Sequence, residues 1–212
     1  MQSNHMENNW AEENLQTIRT LMERSALYRR ALAPIMLLAG ALGVVAAVIG
    51  LTSHFDSTRA FDLLWLSTAV VAVIGAFLIA RQQALKDREP FWSPPTRRVA
   101  QALIPPLLAG MVIGIFPAFF QEAEKDLNFC SAIVWIMFYG CALHAAGFFM
   151  PRGVKVFGWL LIASACGVLY AFALGDLNTG FSAHLLMGFF FGALHLAYGI
   201  YLYLTEKGKN AA

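Results

Sequence analysis

The sequence predicts an all-α fold: a six-helix transmembrane bundle preceded by an amphipathic helix. Three observations carry that reading. Of 212 residues, 58% are hydrophobic and only 13% are charged, about half the charged share of an ordinary soluble domain. Six apolar windows each approach the ~20 residues that a helix needs to cross a bilayer core. Basic residues between the windows alternate in number from one loop to the next, as they do when successive loops lie on opposite sides of a membrane. The net charge of +2 offers no basic surface for a nucleic acid.

The first 30 residues are the one sizeable stretch outside the windows. Leu15, Ile18 and Met22 fall at helical spacing, with Leu21 and Tyr28 widening the stripe and Glu12, Glu13, Arg19, Glu23 and Arg24 mostly off it. The pattern is that of an amphipathic helix. A helix held by lipid alone is usually rich in Lys and Arg. The mixed charge here points instead to docking on protein, whether the chain's own cytosolic helix ends, a partner or a second copy, with the inner membrane surface as the competing location.

The windows run over residues 31–51, 61–80, 99–120, 129–150, 156–175 and 182–204, leaving a tail at 205–212. None contains Lys or Arg, and Asp62 is the only carboxylate. Arg19, Arg24, Arg29 and Arg30 precede the first window, and five basic residues fill the second loop between Arg81 and Arg98. With both termini inside, thirteen basic residues fall on the inner side and two, Arg59 and Lys125, on the outer. The expectation is therefore six spans, N-terminus and C-terminus in the cytosol. No cleavable signal peptide is expected, because the first apolar run is too long for one.

The second loop, "RQQALKDREPFWSPPTRR" (81–98), should extend the second helix for about two turns until Pro90 ends it. Phe91 and Trp92 suit the headgroup level, and Arg97 and Arg98 suit anionic lipid. In the third window, Pro105 and Pro106 leave carbonyls without their in-helix donors and mark a candidate kink.

Two stretches repeat. "GCALHAAG" (140–147) and "GALHLAYG" (192–199) each set a histidine between glycines. The odd-numbered windows share runs of small residues such as "LLAGALGVV" (37–45) and "LLAGMVIGI" (107–115). Together these suggest three parallel helical hairpins. His144 and His195 would lie roughly 9 and 13 Å from the inner boundary, so they form a candidate intramembrane polar or ligand site on facing sides of spans four and six. Three roles fit such a pair. Each ring could hydrogen-bond a neighbouring helix, line a proton-linked cavity, or serve as an axial haem ligand. His184, near the outer boundary, is expected to face water. The sequence requires no metal and no other cofactor. Cys130, Cys141 and Cys166 match no zinc or redox spacing and read as small buried hydrophobes.

No nucleophile-base set, phosphate loop, zinc pair or paired carboxylates appears. The expected function is that of a non-enzymatic structural, sensory or accessory membrane component. The alternatives are a small carrier or channel for an uncharged or weakly polar solute, and a haem- or quinone-binding redox subunit. The segment "LQTIRTLMERS" (15–25), placed just before the first span and followed by the "PFWSPPTRR" elbow, resembles a pattern in multi-pass membrane proteins of bacteria. That resemblance implies an inner-membrane location and carries no activity.

Overall fold

A computed structural model of the chain describes residues 31–53, 55, 57–88, 90–120, 125–175 and 182–210. The Leu15–Ile18–Met22 stripe and the segment 1–30 lie outside the described residues, as do the last two residues of the tail. Six helices are long and apolar enough to cross a membrane, and no strand occurs among the described residues. They are α1 (Ala31–Thr52), α2 (Thr58–Lys86), α3 (Pro94–Phe120), α4 (Lys125–Ala146), α5 (Arg152–Ala173) and α6 (183–210).

Local chemistry sets the ends. Ser57 caps α2, its hydroxyl accepting from the N–H of Ala60, as side-chain oxygens do at helix starts. At the other end Asp87 closes α2, and Arg88 turns the chain with φ 54° before Pro90. Phe91 then packs edge-on against Phe77 of α2, 4.9 Å between centroids, while Trp92 is left exposed. α4 stops at Ala146, four residues short of the window read from hydropathy. Apolar content could not locate this end, because Gly147 must sit against the backbone of Lys155 as the chain reverses, and Phe148 and Phe149 are consequently exposed. Lys155 reaches back over the Phe148 ring at 3.9 Å.

α4 occupies the middle of the bundle. In its most apolar stretch 56% of residues are buried within the protein, against 6% for α2 and 11% for α3. Val70, Val71, Val73 and Ile74 of α2 are all exposed. A water-soluble chain would hide such a helix, whereas hydrocarbon is an equally good solvent for it. The interior therefore gathers around α4: Ile133, Ile136 and Leu143 pack with Phe61 of α2, Val154, Phe157 and Leu161 of α5, and Phe190 of α6.

Closest approaches occur where side chains are absent. A Cβ on Gly43 of α1 would strike the carbonyl of Phe191, and one on Gly192 of α6 would come 2.9 Å from the Val44 side chain. On the other side, a Cβ on Gly158 of α5 would lie 2.5 Å from the His144 backbone nitrogen, and one on Gly140 3.0 Å from the Gly158 carbonyl oxygen. Small residues allow helices in lipid to reach this backbone contact. These contacts join α1 with α6 and α4 with α5.

Candidate functional site

The repeated histidines diverge. His195 is buried, and both of its ring nitrogens are used. Nδ1 lies 2.8 Å from the carbonyl oxygen of Phe190, five residues back on the same helix. A carbonyl only accepts, so Nδ1 carries the proton. In the neutral ring, Nε2 then accepts from the hydroxyl of Tyr139 on α4, 3.0 Å away. Phe157 of α5 meets the imidazole edge-on at 5.0 Å, and Phe191 stacks on it at 5.9 Å. One side chain thus ties α6 to α4 while filling space against α5.

The local backbone explains the reach. α6 consists of an α-helical turn at Ala183–Met187, a π-helical stretch at Gly188–Ala193 and an α-helix at Leu194–Asn210. In the wide stretch the Leu194 N–H bonds the carbonyl of Phe189, five residues back. Such turns shift the helical phase of everything that follows, and they are frequent at functional sites. Gly192 lies inside the wide turn. The three- and four-residue spacing of Gly192, His195 and Gly199 therefore does not keep the imidazole on the glycine face. The glycines meet Val44 and Leu37 of α1, while the ring turns to α4.

His144 goes elsewhere. Gly140, His144 and Gly147 lie together along α5, where they approach Ile162, Gly158 and Lys155. The His144 ring meets Trp159 and Phe148 edge-on at 5.1 and 5.3 Å, and its Nδ1 has no hydrogen-bond partner among the described residues. The two imidazoles share no hydrogen bond and no ring contact. His195 faces α4 through Tyr139, whereas His144 packs along α5, and each glycine frame meets a different neighbouring backbone, α5 for one and α1 for the other. Ligating a group through His195 would require that ring to release Phe190 or Tyr139.

Pro105 and Pro106 lie within α3, which runs continuously from Pro94 to Phe120. One turn beyond them, the carbonyl of Gly110 accepts the indole N–H of Trp135 at 2.9 Å. The open side of Gly114 receives the same indole.

A second polar cluster, at the other end of the bundle, was not singled out from sequence. His184 is buried rather than facing water. The indole N–H of Trp65 on α2 donates to its Nδ1 at 3.2 Å, and its Nε2 lies 3.2 Å from the carbonyl oxygen of Phe55. An indole N–H only donates, so Nδ1 bears the lone pair, the ring is neutral, and Nε2–H donates to the carbonyl. Phe61 packs against the ring at 4.9 Å, and the bare face of Gly50 on α1 admits it. Thr58 and Asp62 of α2, and Asn128 and Ser131 of α4, are buried toward the same end. The partners of His184 lie 119 and 129 residues away in the chain, and no local pattern announces them. A glycine at 50, two residues before the end of α1, is the faintest of signals.

Among the described residues no group of three or more His, Cys, Asp or Glu is placed to hold a metal ion. No protein-family model, curated protein or solved structure matches the chain.

Proposed function

We propose that the chain is a six-span protein of a bacterial inner membrane with both termini in the cytosol. It serves, without catalysing a reaction, as a structural, sensory or accessory component. Its N-terminal amphipathic helix, through Leu15, Ile18 and Met22, is the element that meets a partner or a second copy. The observation that supports this reading is the use made of His184 and His195. Both ring nitrogens of each are spent on protein groups from other turns or helices. Histidines placed this way act as cross-braces of the bundle. The basic asymmetry of the loops supports the orientation.

The test compares two changes in the cell of origin. Under this proposal, removing residues 1–30 reproduces the loss of the whole gene, while His195→Gln, which can still donate and accept, leaves function intact. If function survives the truncation but is abolished by His195→Gln in normally inserted protein, the carrier or redox reading replaces it.

A further inference from the structure

Asp62 occupies the second turn of α2 and is fully buried, at 0% exposure. Neither carboxylate oxygen has a hydrogen-bond partner among the described residues. Burying a carboxylate without a partner is among the most unfavourable placements a fold can contain. Within a membrane bundle such a residue marks a functional position unless something compensates it.

The surroundings narrow what compensates. Thr58 and Trp65 lie one turn to either side of Asp62 on the same helical face, and both are buried. That face looks into the bundle: Trp65 donates to His184 of α6, and Phe61 stacks on Trp135 of α4 at 6.1 Å. Asn128 and Ser131 precede Trp135 at helical spacing, so α4 turns a polar face toward the same end. His184 supplies no positive charge, because its Nδ1 is already occupied as an acceptor. Arg59 precedes Asp62 by three residues on α2 and is exposed, with an interaction of its own. Among the described residues neither α1 nor α3 brings a charged residue to this end; Lys125 and Asp126 open α4 there, and the charges of α5, Arg152 and Lys155, lie at the opposite end.

We infer that Asp62 is the anchoring ligand of a small monovalent cation site at this end of the bundle, with buried oxygen atoms of α2 and α4 as its surroundings. One carboxylate balances one positive charge, whereas a divalent ion would retain an uncompensated charge in a low-dielectric interior. Oxygen donors without thiolate or imidazole suit a hard ion. The smallest hard monovalent cations available to a membrane protein in water are the proton and the sodium ion, and their common chemistry here is charge neutralisation at a carboxylate oxygen.

The experiment measures the unfolding temperature of the full-length protein in detergent. One series varies NaCl against choline chloride at constant ionic strength, and a second varies pH at constant sodium. A sodium site raises the wild-type Tm by about 4 °C or more across the sodium series, and Asp62→Asn abolishes the rise. A proton site gives no sodium effect, and a stabilisation on mild acidification that Asp62→Asn removes. Equal responses of the wild type and a folded Asp62→Asn variant in both series overturn the site. If that variant does not fold, infrared difference spectra of the wild type at neutral pH decide. The proton gives a protonated carboxyl band, and sodium gives a sodium-dependent shift of a carboxylate band. Spectra with neither overturn the site.

Discussion

Tyr139 and His195 stand 56 residues apart in the chain and 3.0 Å apart in space, the phenol of α4 against the imidazole of α6. The contact depends on a π-helical turn that re-aims α6, and on a carbonyl within that turn, Phe190, that fixes the ring's other nitrogen.

Removing either partner should therefore destabilise the bundle. Tyr139→Phe is expected to lower unfolding free energy by about 1 kcal/mol. His195→Leu, which strips the imidazole from both a hydroxyl and a carbonyl, is expected to cost about 1–3 kcal/mol. A double-mutant cycle read by denaturant unfolding in detergent should give a coupling of about 0.6–2 kcal/mol. Strict additivity would show that the contact carries no energy.

Glycine positions should separate sharply by what lies opposite them. Gly43→Ala and Gly158→Ala drive a Cβ into the backbone of a neighbouring helix and are expected to lower stability by about 1–3 kcal/mol. Gly167, also on a helix, has open space where a Cβ would go. Gly167→Ala is expected to be neutral or to stabilise by up to about 1 kcal/mol through helix propensity. Equal effects at the three positions would argue against the close approaches of α1 to α6 and α4 to α5.

At the other end, Trp65→Phe keeps a ring beside His184 but removes the N–H that it accepts. The expected loss is about 1 kcal/mol. Gly50→Ala drives a methyl group into the imidazole and should lower stability further, moving the tryptophan emission as Trp65 shifts. A neutral Gly50→Ala with unchanged emission would mean that His184 does not rest on α1.

The proposed orientation makes a prediction at six sites. Reporter fusions after Thr52, Glu124 and Asn178 should read as outside the cytosol, and fusions after Asp87, Gly153 and Lys209 as inside. The basis is the thirteen-to-two division of basic residues, which governs how loops are retained during insertion. A single reversed site would break the alternation and with it the six-span orientation.

Hydropathy alone determined the six helices of membrane-spanning length found among the described residues, because the requirement of ~20 apolar residues is local and one-dimensional. Repetition alone drew attention to His144 and His195. Where those rings point was decided by tertiary structure. Helical spacing projects a face only while the helix keeps its period, and the π turn at Gly188–Ala193 breaks it just before His195. The end of α4 escaped the sequence for a related reason: apolar residues continue through Phe148 and Phe149, and the chain reverses where Gly147 meets Lys155 rather than where hydrophobicity stops. The Trp65–His184–Phe55 cluster was invisible at the level of pattern, and Asp62 stood out only as the one carboxylate in the windows, its burial unannounced. A polar group's partners lie on other helices, so burial and satisfaction are properties of the packed bundle rather than of any stretch of the chain.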